Sequence, residues 1–366
     1  MVRFCKAEPN PQNKSIMKDF RFLLAVVMLF GGLTLTAQDA VLVSQEEDEN
    51  PLLISGFVDA YYQFNFNGVG VDMTSFTGAH NSFELGMANV IFAKEFDKVG
   101  FVADLAFGPR ANAANGTGGF TTDIIKQLFV TYSPIDAVTL TAGNFSTHVG
   151  YELIDAPGNF NYSTSYMFSN GPFYHTGLKA DIAISDKFGA MIGVFNDTDS
   201  KTDFGGSPGK HIGGQLSYSD DKLSVYLNYL GGKEDTSVVA NQIDLTATYQ
   251  ATDDLLVGLN VTDKMYDLET STANWMGAAL YLNYSVSDAF GLGLRGEYFD
   301  DSNGVVYGVD DLTFMEYTLS ANLTQGSLTL VPEFRIDVAS ADYFTDAEGA
   351  LSTVSPSLIF GVYYTF

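Results

Sequence analysis

Residues 54–66 read ISGFVDAYYQFNF, with Ile54, Val58, Ala60, Tyr62, Phe64 and Phe66 at even positions and Ser55, Asp59, Gln63 and Asn65 between them. Successive side chains leave a pleated strand on opposite sides, so period two predicts a strand with one apolar and one polar face. The alternation recurs to the C-terminus. It predicts strands near 82–94, 99–108, 121–133, 137–146, 174–185, 187–196, 210–219, 222–231, 239–251, 255–266, 273–286, 289–300, 313–325, 327–338 and 353–366. With the first, these make about sixteen, within a range of about 14–18.

The connections separate a soluble β protein from a membrane barrel, because they alternate between short and long. The short ones are rich in Asp, Ser and Gly, as tight turns require: Phe96-Asp97-Lys98, Ser133 to Asp136, Ser185-Asp186, Ser219 to Asp221, Thr252 to Asp254, Ser287-Asp288 and Gln325-Gly326. The long ones span 67–81, 109–120, 147–173, 197–209, 232–238, 267–272, 301–312 and 339–352. Sorting by parity is expected of an up-and-down barrel with both termini on the short-turn side, whereas a soluble sandwich has no reason for it.

Strand length and facing agree. Most segments reach the ten or so residues that cross the hydrocarbon at a tilt. In 223–229, Leu223, Val225, Leu227 and Tyr229 would meet lipid while Ser224 and Asn228 meet water inside. Closure is required as well, since an open edge in lipid leaves backbone groups unpaired. About sixteen strands enclose an aqueous lumen rather than a filled core. The fold expected is therefore all-β: a transmembrane antiparallel up-and-down barrel over 54–366, with a long third outer loop.

Upstream, Lys18 and Arg21 precede an uncharged run from Phe22 to Leu35 that ends in Thr36-Ala37. A basic start, a short apolar stretch and a small residue at the cut describe a secretory signal within 1–37, with Met1 or Met17 as its start. Residues 38–53, with Glu46 to Glu49 acidic throughout, read as a solvated periplasmic leader. The only cysteine, Cys5, lies ahead of the export signal, so the exported chain has neither disulfide nor thiolate metal site. The chain carries 18 Lys and Arg against 44 Asp and Glu, a net charge of −26. Such a chain has no electrostatic footprint for nucleic acid.

The chain ends in SLIFGVYYTF, with Leu358, Phe360, Val362, Tyr364 and the terminal Phe366 on one face. This resembles the last strand of bacterial outer-membrane barrels, which the barrel assembly machinery could hold by strand addition. A wider resemblance rests on ISGFVDAYYQFNFN (54–67), AGNFSTHVGYE (142–152), NYSTSY (161–166) and SNGPFYHTGLK (169–179). These blocks resemble the OmpL-like outer-membrane β-barrel porins over the N-terminal two thirds, with strand rhythm alone beyond. The turn Asp155-Ala156-Pro157-Gly158 departs from the family pattern. The resemblance implies a channel for small solutes in the outer-membrane lipid, free as a monomer or in an oligomer, and names no substrate.

Enzyme readings are weaker. His80, His148, His175 and His211 are the only histidines, and no pair has the spacing of a metal site. Ser146 with His148 lacks a third partner fixed by sequence. Gly116, Gly118 and Gly119 follow no strand-to-helix phosphate pattern. Asp197, Asp199 and Asp203 lack the spacing of a calcium loop. No cofactor is expected. The function expected is passive diffusion of small hydrophilic solutes; a surface adhesin or structural barrel is the alternative, and an outer-membrane hydrolase a remoter one.

Loop 147–173 is the longest interruption in the strand rhythm and is dense in aromatics, so it is expected to fold into the lumen and narrow it. The candidate constriction comprises Glu152, Asp155, Arg295, Arg335, Lys179 and Asp181. Strand parity places the acids Asp59, Glu84, Asp104, Asp181, Asp244, Glu297, Glu316, Glu333 and Asp337 on the lumen side, against Lys179, Lys264, Arg295 and Arg335. Parity leaves Lys126 ambiguous, because Ile124 and Leu128 share its side. Rings of one charge sign select ions, so the expected preference is for cations.

Overall fold

The computed structural model describes residues 50–116, 120–202, 209–235 and 238–366. The expected signal segment and most of the acidic leader lie outside these, as do Gly118, Gly119 and Asp203. Chain order gives β1 (Leu53–Asn65), β2 (Ser82–Phe96), β3 (Val99–Phe107), β4 (Ile125–Ile135), β5 (Val138–Ser146), β6 (Tyr174–Ala183), β7 (Phe188–Phe195), β8 (His211–Ser219) and β9 (Leu223–Asp235). There follow β10 (Val238–Gln250), β11 (Leu255–Asp267), β12 (Thr272–Ser287), β13 (Phe290–Asn303), β14 (Asp310–Gln325), β15 (Leu328–Ala339), β16 (Phe344–Thr345), β17 (Leu351–Ser352) and β18 (Val354–Thr365). Three short helices, α1 (Pro109–Asn115), α2 (Phe120–Asp123) and α3 (Tyr166–Asn170), lie in outer loops.

β1 to β15 and β18 close a barrel of sixteen strands, every pair antiparallel and each strand beside its neighbour in sequence except at the seam. At the seam β18 returns to β1, pairing Phe57 with Thr365 through to Asn65 with Ser357. The terminal Phe366 extends that ladder: its N–H donates to Gly56 O and its carbonyl accepts from Gly56 N, both at 3.0 Å. Among the described residues the closed ring leaves no backbone edge facing lipid, the condition for strands to cross a bilayer.

The faces follow the alternation. On β1, Ile54 and Val58 are exposed outward while Asp59, Gln63 and Asn65 are buried inward. On β9, Leu227 and Tyr229 are exposed and Asn228 is buried. The short turns are closed by their own polar residues: Asp220 Oδ1 accepts from the N–H groups of Lys222 and Leu223, both at 3.0 Å, and Gly326 supplies a φ of +60° between β14 and β15.

Four connections differ from expectation. The segment expected as a strand from 121 begins as α2, and β4 starts only at Ile125. The loop expected over 232–238 is mostly strand, since β9 runs to Asp235 and β10 begins at Val238. The loop expected over 267–272 shrinks to four residues, 268–271. In these two, Gly231-Gly232 and Thr270-Ser271-Thr272 read as loop by composition, but cross-strand pairing overrides that signal, for example Ala240 with Gly232. The loop after β15 carries the small hairpin β16–β17.

Candidate functional site

The third outer loop, L3 (147–173), leaves β5 beside β6 and crosses the interior. A loop without a ladder must find partners for its backbone N–H groups, and here wall side chains supply them. Gly150 N donates to Asp244 Oδ1 on β10 at 3.0 Å. Tyr162 N and Ser163 N donate to the two oxygens of Glu333 on β15, at 2.7 and 3.1 Å. Tyr166 N and Met167 N, at the start of α3, donate to the two oxygens of Glu297 on β13, at 2.7 and 2.8 Å. A helix N-terminus presents unpaired N–H groups and positive partial charge, so a wall carboxylate suits it. Ser165 caps α3 from within, accepting from Phe168 N at 3.1 Å.

Charged pairs fix the loop on both sides. Arg295 on β13, fully buried, donates through Nη1 to Glu152 Oε1 at 2.6 Å and to Ser163 O at 2.7 Å, and through Nε to Glu316 at 2.9 Å. Arg335 on β15 donates to Asp337 at 2.8 Å and to Thr164 O at 2.7 Å. Across the ring, Lys126 on β4 lies between Asp104 at 2.6 Å and Asp155 at 2.5 Å. The departing turn therefore has a place: Ala156–Gly158 is a single 3-10 turn whose preceding Asp155 reaches β4. Asn159 braces it, accepting from Leu153 N at 2.9 Å and donating to Leu153 O at 2.7 Å.

Of the residues proposed from sequence for the constriction, Glu152, Asp155, Arg295 and Arg335 converge on this network. Lys179 and Asp181 do not join it; they pair with each other on β6 at 3.2 Å and are partly exposed. Among the lumen acids, Asp59, Asp104, Asp244, Glu297, Glu316, Glu333 and Asp337 are buried inward, and Glu84 is half-buried and accepts from Ser82 Oγ at 2.6 Å. Lys264 pairs with Glu234 at 2.7 Å. Arg295 faces the loop acid Glu152 and Arg335 pairs with Asp337 beside it on β15, while Glu297 and Glu333 serve the backbone of the loop.

Some of the network escaped strand parity. Lys126 faces inward because the β3–β4 register shifts between Asp104 and Leu105, so Lys126 and Gln127 both turn to the lumen. A β-bulge re-aims one side chain in this way, and parity counting is blind to it. Arg110 on α1 lies in what reads as an ordinary loop. It donates to Ile154 O at 3.1 Å, stands 3.6 Å from Asp59, and places its guanidinium 5.0 Å from the centre of the Tyr162 ring. Tyr162 and Tyr166 also act through their hydroxyls, which donate to Asp59 at 2.6 Å and Asp337 at 2.8 Å.

The wall is shaped to receive the loop. Phe160 lies against Gly291 and Gly293, Tyr162 against Gly361, Tyr151 against Gly258 and Met167 against Gly277, each so close that a Cβ on the glycine would collide. Tyr151 also stacks on Tyr281 at 4.3 Å between centroids. Glycine within a strand marks close approach of another group. The signal was present in sequence: on β13 the inward positions read Gly291, Gly293, Arg295, Glu297.

At the root of the loop, His148 is neutral at ordinary pH, since burial pushes its imidazole down to about 4. Its Nε2 therefore donates to Tyr229 O at 3.0 Å. Ser146 gives its hydroxyl to Gln127 at 3.1 Å, so the two residues do not face each other as nucleophile and base. The far end is clasped by Asp199, which accepts from Phe173 N at 2.7 Å and Tyr174 N at 3.0 Å; burial raises its carboxyl to about 6. No group of three or more His, Cys, Asp or Glu among the described residues is arranged to hold a metal.

Solved structures share the fold at low identity. An anion-selective porin from Comamonas acidovorans superposes with a TM-score of 0.62 at 13% identity, covering 87% of this chain and 100% of that one. The outer-membrane channel DcaP of Acinetobacter baumannii gives 0.61 at 10% identity, over 89% and 100%. In its trimer form, OmpT of Vibrio cholerae gives 0.59 at 12%, over 87% and 99%. No curated protein matches the sequence. A family described as beta-barrel porin-2, OmpL-like, matches residues 51–366, through the C-terminal third where rhythm alone carried the resemblance. The chain belongs to this OmpL-like porin family and is a β-barrel of the bacterial outer membrane.

Proposed function

We propose that the chain is a diffusion porin that passes small hydrophilic solutes, prefers cations, and uses L3 as its constriction. The observation that carries this reading is the path of L3: one loop tied to Lys126 on one side of the barrel and to Arg295 on the other. Solutes must pass between the loop and the polar wall, because the loop is anchored inside the ring of strands.

The charges of the inner face support cation preference. The carboxylates Asp59, Asp104, Asp244, Glu297, Glu316, Glu333 and Asp337 exceed the buried inward bases of the strands, Lys126, Lys264, Arg295 and Arg335. Low-dielectric walls focus the field of that excess on the lumen. The anion selectivity of the Comamonas porin does not carry over, since a likeness at 13% identity speaks for the fold alone. Covalent chemistry forms no part of the proposal, given how Ser146 and His148 are engaged. The trimer recorded for OmpT makes cross-linking in native membranes a useful check for an oligomer.

Two measurements test the reading. Liposomes containing the protein should swell in small sugars and lag in larger ones; no swelling would favour an adhesin or structural barrel. Reversal potential in a salt gradient should show cation preference that fades near molar salt, where the screening length falls to about 3 Å. Anion preference would overturn the charge argument.

A further inference from the structure

On each of the sixteen strands at least one inward side chain is buried, from Asp59 on β1 round to Ile359 on β18. An open pore along any strand would leave its inward side chains wet, so the loops close the ring at the height of L3. They close it unequally. From β13 to β15 the wall grips L3 through Arg295, Glu297 and Glu333, and from β1 to β4 through Asp59 and Lys126. From β4 to β9 an apolar cluster seals it, with Val149 of L3 among Phe129, Phe145, Met191, Phe195 and Leu230.

β10 and β11 hold the loop least. Among the described residues a single hydrogen bond joins them to L3, from Gly150 N to Asp244 Oδ1 at 3.0 Å. Their inward column is polar and buried: Gln242, Asp244 and Thr246 on β10, Asn260 and Thr262 on β11. It runs on toward the short turns in half-buried Thr248 and Gln250. The loop side of this contact is apolar, with Val149, Met167, Phe168 and Pro172 around a void of about 10 Å³. Apolar groups offer no partners to amides and hydroxyls, so the contact is a poor one. Gly150 has φ +93° and no atom within 4 Å of where a Cβ would stand, so the backbone has room to turn there.

The column also carries a distinctive charge. Asp59, Asp104, Glu316 and Asp337 each stand against an arginine or lysine, and Glu297 and Glu333 are each filled by two backbone N–H groups. Asp244 takes neutral donors alone: Gly150 N, Asn228 Nδ2 at 2.8 Å and Asn260 Nδ2 at 2.5 Å. Resting on the porin reading, we propose that solutes cross along β10 and β11, that the structure is the shut form of this passage, and that Asp244 is the specificity-determining charge they meet when L3 draws back at Gly150. Drawing back breaks one hydrogen bond and the Tyr151–Tyr281 stack, whereas opening at β4 or β13 breaks buried ion pairs. The anchors at Glu152 and Asp155 stay in place. A column of amides and hydroxyls with one carboxylate suits uncharged polyhydroxylated solutes and small cations, and repels anions.

Cysteine labelling tests the passage apart from conduction, since the described residues contain no cysteine. Thr262 on β11 and Ser357 on β18 are matched: each is 3% exposed and each lines a water-sized void. In the full barrel reconstituted in vesicles, a water-soluble methanethiosulfonate should modify T262C at least tenfold faster than S357C. Equal rates would overturn the proposal. In planar bilayers, complete modification of T262C should cut the current by more than half, and D244N should move the reversal potential in a salt gradient toward zero. A current untouched by modification, or a native reversal potential in D244N, would also overturn it. A native chain that carries no current would instead strike the porin reading, and the passage with it.

Discussion

Lys126 and Arg295 lie on β4 and β13, strands seven places apart around a ring of sixteen, and grip the same turn of L3: Lys126 holds Asp155 at 2.5 Å and Arg295 holds Glu152 at 2.6 Å. Two residues of loop separate the carboxylates. The loop is thereby held from both sides, and it cannot move outward without breaking two buried ion pairs, after which Lys126 keeps only Asp104 and Arg295 only Glu316 among their carboxylate partners on the adjoining strands.

The glutamate clamps set how still the loop is. E333Q keeps shape but converts two charge-assisted acceptors for Tyr162 N and Ser163 N into one neutral acceptor and a donor. The expected loss is about 1.5–3 kcal/mol of local anchoring. Open-channel current noise should rise, and proteolysis within 155–164 should quicken. E297Q should act likewise at Tyr166 and Met167. Unchanged noise in both variants would mean that the loop is held by its aromatic contacts instead.

Glycines on the wall offer a steric test. G293A places a methyl group against Phe160, and overpacking of this kind costs roughly 1–3 kcal/mol. G296A is the matched control three residues on, where a Cβ meets only the Tyr317 ring at 3.8 Å. The first should lower the unfolding midpoint and alter conductance, and the second should do neither.

Acid should loosen the root of the loop through His148. Its folded pKa of about 4 lies below the ordinary 6.5, so the neutral form is favoured in the fold. The stability this contributes is present above pH 6.5 and is lost as pH falls from 6.5 toward 4. Asp199 titrates in the same window with the opposite sign: its carboxyl, raised to about 6, gains stability as it protonates. H148Q should therefore flatten the acid limb of the stability profile, and D199N should steepen the net loss. A profile unchanged by H148Q would place the pH dependence elsewhere.

Much of the barrel was legible because lipid imposes a strict rule: each strand must show apolar side chains at every second position over about ten residues, and turns between strands carry their own chemistry. Asp59, Asp104, Glu316 and Asp337 face inward by that parity alone. Lys126 was not legible, because the register shift beside Asp104 obeys packing rather than alternation. Arg110 and Tyr162 were hidden for another reason. A loop's contacts are made with residues more than forty positions away, such as Ile154 and Asp59, and no local pattern encodes them. Gly291 and Gly293 did announce the approach of Phe160, in a strand where larger residues would otherwise pack.

Single-channel conductance of the full chain against a variant lacking Asp155 to Thr164, both in the same salt and with heat-modifiable mobility confirming the closed barrel, tests the constriction most directly. The deletion removes Tyr162 and Ser163, the partners of Glu333, and the Asp155 anchor on β4. The account predicts a clear rise in conductance with weaker discrimination by solute size; conductance equal to that of the full chain would contradict it.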